Sequence, residues 1–159
     1  MEYNFNDVEK LALKKRLKQY CVEIIKTRIE GNEASILNAQ INANSEEKSS
    51  AGDKYETSRA MSHIEKDMLS RQLVANQNEL IMLLNIDVNH INASAVAGSF
   101  IVCGAFSFFI AVGLGKVNFE TKYVYLLSPH APVAKMLMDK KKGDGIVLNK
   151  INEKIVDIF

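Results

Sequence analysis

The first half of the chain contains two long stretches in which apolar or small residues recur at alternating steps of four and three, the spacing of a coiled coil. In the first stretch the predicted seam consists of Leu13, Leu17, Tyr20, Ile24, Thr27, Gly31, Ala34, Asn38 and Ile41. In the second it consists of Met61, Ile64 and Met68 and then, shifted by one residue, of Leu69, Leu73, Asn76, Leu80 and Leu83. Because two such stripes are unfavourable in water, the pattern predicts two antiparallel helices that cover each other.

The polar segment 44–56 between the two stretches predicts the tip of this helical hairpin. Its serines and its glycine favour turns, and Asp53 followed three residues later by Glu56 is typical of a helix start with acids near its positive end. The first helix, from about residue 7 to residue 43, would span on the order of 50 Å at 1.5 Å per residue. The sequence therefore places a group of carboxylates at the end of a rod, those of Glu46, Glu47, Asp53 and Glu56.

Two small residues, Gly31 and Ala34, lie within the predicted seam of the first helix. Small residues let two helices approach closely, and a glycine also loosens the helix that contains it. Both interpretations stay open at this point: a close contact between the helices, or a flexible middle of the rod.

The segment 93–115 runs for more than twenty residues without a charge, which is long enough for a membrane span. Its glycines divide it into pieces of strand length, and the pieces 100–103 and 106–112 are rich in β-branched and aromatic residues. Gly104 and Ala105 between them favour a hairpin turn. We therefore predict two buried strands, with a single-pass membrane helix over 93–115 as the alternative.

The remainder of the chain predicts a small β domain with one helix. Residues 122–128 have the composition of a strand that ends before Pro129, and Pro132 suits the first turn of a helix. The last fourteen residues predict two short strands joined near residues 149–152. The predicted fold class is thus α+β, with an antiparallel coiled-coil hairpin over 1–90 and a β domain over 91–159.

The residue composition argues against several kinds of site but does not identify a binding partner. Among 159 residues, 20 basic and 19 acidic side chains give a net charge of +1. Cys21 and Cys103 are isolated, and the three histidines lie far apart, so the chain alone predicts no disulfide framework and no metal site. A nucleophilic serine motif and a glycine-rich phosphate loop are absent from the sequence. The N-terminus lacks the pattern of a signal peptide, which predicts a cytoplasmic protein.

Three lysines near the start of the first helix, Lys10, Lys14 and Lys18, are four residues apart and share one face. Such a face suits nucleic acid or an acidic protein surface, and the alternative is a solvated helix face. The sequence leaves both interpretations open.

The run 128–144, SPHAPVAKMLMDKKKGD, resembles the Ser-Pro-x-Ala…Leu-Leu-Gly-Lys-x-x-Gly-Asp signature of the Gre transcript-cleavage factors. In that family the signature belongs to an FKBP-like C-terminal domain that follows an antiparallel coiled coil, so the resemblance covers most of the chain. Residues 52–56, GDKYE, keep the Gly-Asp-x-x-Glu part of the family's tip pattern. Thr57, Ser58 and Arg59 replace its Asn-Ala-Glu, and Met138-Asp139 stands where Leu-Gly or Ile-Gly would be expected.

The resemblance implies a monomeric accessory factor of RNA polymerase rather than an enzyme. Asp53 and Glu56, with Glu46 and Glu47 as alternative tip acids, would help to hold a Mg²⁺ ion of the polymerase active centre and orient the water that hydrolyses backtracked nascent RNA. The chain would need no cofactor of its own. The polymerase-binding surface would consist of Ser128, Pro129, Ala131, Lys135 and Leu137. Channel occupation without cleavage stays open because the tip departs from the family, and a structural coiled-coil adaptor is the alternative function.

Overall fold

The computed structural model describes residues 5–46, 52–148 and 150–159. Two long helices come first, α1 (Asp7–Glu46) and α2 (Gly52–Asn85). A sheet with a short helix follows, whose elements in chain order are β1 (Phe100–Cys103), β2 (Ser107–Ile110), β3 (Gly115–Phe119), β4 (Lys122–Leu127), α3 (Pro132–Leu137), β5 (Gly145–Leu148) and β6 (Ile151–Ile158). This order confirms the predicted α+β class of a helical hairpin followed by a β-sheet domain with one helix.

Two compact units make up the chain. The sheet unit contains the residues up to Val22 together with Leu83–Phe159, and the hairpin unit is Glu23–Met82. α1 and α2 therefore each contribute residues to both units. The domain boundary predicted between residues 90 and 91 stays a prediction.

A reciprocal cap fixes the start of α1. The backbone N–H of Glu9 donates to Asn6 Oδ1 at 3.0 Å, and the backbone N–H of Asn6 donates to Glu9 Oε2 at 2.9 Å. This capping box satisfies two backbone donors that the first helical turn would otherwise leave unpaired.

In the hairpin unit, α1 covers a different stripe from the predicted seam. Apart from Ile24, which belongs to the predicted seam and is half-buried, the covered residues are Ile25, which is buried, and Ile29, Asn32, Ile36, Ala39 and Ala43, which are half-buried. The residues of the predicted seam beyond Ile24 are all exposed, namely Thr27, Gly31, Ala34, Asn38 and Ile41. The prediction was wrong here because the covered stripe contains three isoleucines and so removes more apolar surface from water.

For α2 the prediction was right over one half and wrong over the other. Leu69, Leu73, Asn76 and Leu80 are half-buried and Leu83 is buried, as predicted, whereas Met61, Ile64 and Met68 are exposed. The predicted shift of one residue at Leu69 corresponds to a rotation of about 100°, which an unbroken helix cannot accommodate. Since α2 runs without interruption from Gly52 to Asn85, the register set by the leucines also fixes the orientation of the methionines.

An amide cluster interrupts the apolar seam of the hairpin unit. Asn76 Nδ2 donates to Asn32 Oδ1 at 2.7 Å, and Asn32 Nδ2 donates to Gln72 Oε1 at 3.1 Å. A polar pair at one level of a seam has few partners at any other level, so it favours a single register of the two helices.

Gly31 next to this cluster allows a stability prediction. Apart from the neighbouring backbone of α1, no atom of the described residues lies within 4 Å of a Cβ built on Gly31, so the glycine is not required for a close approach of the helices, and that interpretation was wrong. We expect Gly31→Ala to raise the free energy of unfolding by about 0.5–1 kcal/mol, because alanine restricts the unfolded chain and favours the helix. Urea unfolding measures this gain, and the exposed control Ala34→Gly should give a loss of similar size. An unchanged or lower stability of Gly31→Ala would contradict this expectation.

The sheet has the order β3-β4-β2-β1-β6-β5 in the described part of the chain. Neighbouring strands are antiparallel except β2 and β4, where Phe108 pairs in parallel with Tyr125. α3 contributes Ala134 and Leu137 to a core formed with sheet residues and Ala95, whose members include Ile101, Cys103, Phe108, Ile110, Ile146, Leu148, Ile155 and Ile158.

The uncharged segment forms the predicted hairpin of β1 and β2. Phe100 pairs with Phe109 and Val102 with Ser107, and every residue of both strands is buried. Among the residues that the structure describes, no helix has the length and hydropathy that a membrane span requires.

Sequence reasoning missed β3, an edge strand whose residues are exposed or half-buried. Its polar composition gave no strand signal.

The turn from β3 to β4 passes through Glu120 and Thr121, both with positive φ. Glu120 accepts two hydrogen bonds from the Arg16 guanidinium, at 2.7 and 3.1 Å, and the Tyr20 ring contacts the Phe119 ring edge-on at 5.3 Å. These contacts attach the first part of α1 to the β3–β4 hairpin.

Candidate functional site

The predicted catalytic acids lie at the start of α2. The helix begins at Gly52, so Asp53 and Glu56 fall in its first two turns, three residues apart and therefore on one face. The Glu56 side chain is exposed, whereas the structure describes only the backbone of Asp53. Of the alternative acids, Glu46 is the last residue of α1, described by its backbone alone, and Glu47 lies outside the described residues.

Two carboxylates at a helix start suit a hard cation that other groups also ligate. Oxygen donors are the ligands that Mg²⁺ prefers, and one or two carboxylates per ion are common because the ion keeps several waters. No group of three or more His, Cys, Asp or Glu side chains within 5–46, 52–148 and 150–159 is arranged to hold a metal ion.

The first predicted docking residues form a tight turn after β4. The backbone N–H of Ala131 donates to the Ser128 carbonyl at 2.9 Å, and the backbone N–H of His130 donates to Ser128 Oγ at 3.3 Å. Pro129 at the second position suits this turn because its φ is already restricted. Ser128, Pro129 and Ala131 are all half-buried, which leaves part of each side chain open to a partner.

The short helix α3 follows this turn and separates the remaining docking residues. Pro132 occupies its first turn, as predicted, and Lys135 and Met136 point to solvent. Leu137 is fully buried in the sheet-unit core together with Ala134. This burial disagrees with the prediction that Leu137 belongs to a binding surface. The side chain instead packs on the sheet and holds α3 in place, since an apolar side chain of a short helix is stabilised by burial.

The lysine face of α1 is used within the sheet unit. Lys10 Nζ lies 2.6 Å from Asp157 Oδ2. Lys14 Nζ donates to the His90 carbonyl at 2.7 Å, and Lys18 Nζ donates to the carbonyls of Leu84 and Ile86 at 2.8 and 2.7 Å. Both interpretations of this face, a strip for nucleic acid or an acidic protein surface and a solvated helix face, were therefore wrong. Lys14 and Lys18 satisfy carbonyl groups at and after the C-terminus of α2 that the helix leaves unpaired.

Burial changes the electrostatics of Lys14 in particular. The side chain is fully buried, and this desolvation lowers its pKa from 10.5 to about 8, although the Asp87 carboxylate acts in the opposite direction. The pKa of Asp87 is itself lowered, first by the backbone N–H of Asn89 and then by the Asn89 side-chain amide. Sequence reasoning missed these roles because residues 14 and 90 meet only after folding.

Comparisons with known proteins find a similarity among the solved structures. No protein-family model matches the chain, and no curated protein matches it. The chain is similar to the structure of the transcription factor Gfh1, at 14% sequence identity and a TM-score of 0.37, over 86% of this chain and 92% of that chain. A similarity of this size carries no argument about function, and the fold described above rests on the helices and strands of this chain.

Proposed function

We propose that the protein is a cytoplasmic accessory factor of RNA polymerase. In this proposal the sheet unit docks on the polymerase, and the helical hairpin reaches toward its active centre. The observation that carries the proposal is the joint occurrence of two family-like runs in suitable elements. Within residues 128–144 a hydrogen-bonded turn at Ser128 is followed by α3, and residues 52–56 open the second helix of the hairpin.

The docking role rests on the turn and on α3. Two hydrogen bonds to Ser128 hold the turn, and the burial of Leu137 fixes α3, so Pro129 and Lys135 have defined positions before a partner arrives. A preorganised surface loses less conformational entropy on binding. The exposed ammonium of Lys135 beside the thioether of Met136 suits an acidic partner surface with an apolar neighbour.

The tip role rests on Asp53 and Glu56. As carboxylates they would provide oxygen ligands to a Mg²⁺ ion of the polymerase and accept a hydrogen bond from the attacking water. The ion supplies charge stabilisation for hydrolysis of the backtracked nascent RNA. This chain would contact the RNA only indirectly.

One observation favours a second function, regulation by occupation of the channel without cleavage. Arg59 is exposed on α2 where the family pattern has an acid. A cation close to the acids lowers the local negative charge and so weakens attraction for a divalent cation.

A cleavage assay on backtracked transcription complexes distinguishes these functions. We expect the wild-type protein to accelerate RNA cleavage and Asp53→Asn with Glu56→Gln to lose that acceleration by about tenfold or more, because the amides keep helix-capping acceptors but lose the charge. Polymerase binding should remain unchanged. The matched control is Glu30→Gln with Glu33→Gln, an exposed pair with the same spacing on α1.

The other outcomes separate the alternatives. A wild-type protein that binds polymerase without accelerating cleavage regulates by obstruction, and Asp53 and Glu56 then serve the helix start. A double variant that accelerates RNA cleavage as much as the wild type does would contradict the catalytic assignment.

A further inference from the structure

The side of α2 that faces away from the seam carries an ordered row of apolar residues, here named the outer stripe: Met61, Ile64, Met68, Ala75 and Met82. The exposed fractions of Met61, Ile64 and Met68 are 63%, 63% and 62%, and that of Met82 is 47%. The whole stripe lies within the hairpin unit. Single exposed apolar residues are normal on protein surfaces, but an aligned row of them is a common feature of interaction sites.

The spacing of the outer stripe indicates the shape of its partner. Met61, Met68, Ala75 and Met82 are seven residues apart, and Ile64, Arg71 and Asn78 occupy the intermediate fourth positions. This is a second heptad seam on a helix whose first seam already packs against α1. A heptad seam is complementary to another α-helix, since side chains at this spacing fit between those of a facing helix.

The charges beside the outer stripe indicate the charge of the partner. Glu65 and Glu79 flank it on one side and Asp67 on the other, at the positions that face a partner helix in a coiled coil. Glu65 and Asp67 are exposed, and Glu79 is half-buried. None of the three forms an ion pair with a residue in the described part of the chain. Lysine or arginine on the flanks of the partner helix would pair with these acids.

A second copy of the chain fits this surface poorly. In an antiparallel pair the flank with Glu65 and Glu79 would meet the same flank of the copy, and like charges would repel. In a parallel pair the guanidinium of Arg71 would face its counterpart within the seam. The methionines instead favour a different protein, because their flexible side chains adapt to varied apolar surfaces.

We propose that the outer stripe is the docking site for an amphipathic helix of a partner protein whose apolar seam is flanked by lysine or arginine. The site is independent of the polymerase assignment, since it uses neither the tip acids nor the turn at Ser128. Arg71 requires an acid or an amide opposite it in the partner seam.

Two three-heptad peptides test the site on the full-length protein. Both have the same leucine seam with one glutamate opposite Arg71, and they differ only in having lysine or glutamate on the flanks. We expect the lysine peptide to bind at least about tenfold more tightly than the glutamate peptide, as measured by fluorescence anisotropy. Equal affinities, or no binding of the lysine peptide, would overturn the proposal.

Variants connect this binding to the outer stripe. We expect Met61→Gln, Met68→Gln and Met82→Gln together to lower the affinity for the lysine peptide by about tenfold or more. Glu65→Lys with Glu79→Lys should make the protein bind the glutamate peptide more tightly than the lysine peptide. The matched control, Leu37→Gln with Ile41→Gln, changes two exposed apolar residues of α1 and should bind as the wild type does. A wild-type dimer in sedimentation that the triple methionine variant dissociates would overturn the proposal, because a second copy would then occupy the stripe.

Discussion

Replacing Ile25 with alanine should lower the free energy of unfolding by about 2–5 kcal/mol, whereas the same substitution at Ile41 should change it by less than about 0.5 kcal/mol. Both isoleucines lie on α1 within the hairpin unit. Ile25 is 0% exposed and Ile41 is 55% exposed. Truncating Ile25 therefore removes buried apolar surface and leaves a cavity, while truncating Ile41 removes surface that is largely in water already.

This pair is a direct measurement of the seam register. The predicted seam contains Ile41 and omits Ile25, and the structure has the reverse arrangement. Urea unfolding followed by circular dichroism gives both values, provided that two probes report coincident transitions. A larger loss at Ile41 than at Ile25 would show that the helices pack in the other register.

Lys14→Met should remove a component of the pH dependence of stability. The pKa of Lys14 is lowered to about 8 in the folded protein and is near 10.5 when the chain is unfolded. Between these values the unfolded chain binds one more proton than the folded protein does, so this group makes stability rise with pH. The cost of burying the charge is complete below pH 8 and is relieved as the pH approaches 10.5.

The free energy of unfolding of the wild type should therefore rise relative to that of Lys14→Met by up to about 1.4 kcal/mol per pH unit above pH 8. Burial raises the pKa of Cys21 to about 12 and that of Cys103 to about 11, which lowers stability above pH 9. Both thiols are present in both proteins, so their effect cancels in the difference. The control Lys15→Met changes an exposed neighbour and should keep the wild-type slope. A difference that does not vary with pH would contradict the burial of a charged Lys14.

The sequence predicted local elements well because local rules fix them. Pro129 ends β4 and Pro132 begins α3 through the restricted backbone of proline, and Gly104 lies in the turn between β1 and β2. The register of the hairpin depends on a competition between two faces of one helix. A comparison of side-chain size would have identified the correct register. Ile25, Ile29 and Ile36 offer more apolar surface for burial than the predicted seam, which contains small and polar residues.

The candidate site was predictable to the extent that it follows from local sequence. The turn at Ser128 lies as expected at the end of a strand, because its hydrogen bonds join residues two or three apart. The burial of Leu137 was missed because it depends on which face of α3 meets the sheet. The use of Lys14 and Lys18 was missed because their carbonyl partners are more than sixty residues away along the chain.

The most direct test of the polymerase assignment is equilibrium binding of the labelled full-length protein to purified RNA polymerase from the cells that encode it. We expect saturable binding that Lys135→Glu and Pro129→Ala each weaken, by about tenfold for the charge reversal. Lys154→Glu, an exposed lysine of the same unit, should bind as the wild type does. Circular dichroism confirms that each variant is folded. No saturable binding of the wild type up to about 10 μM would contradict the proposed function.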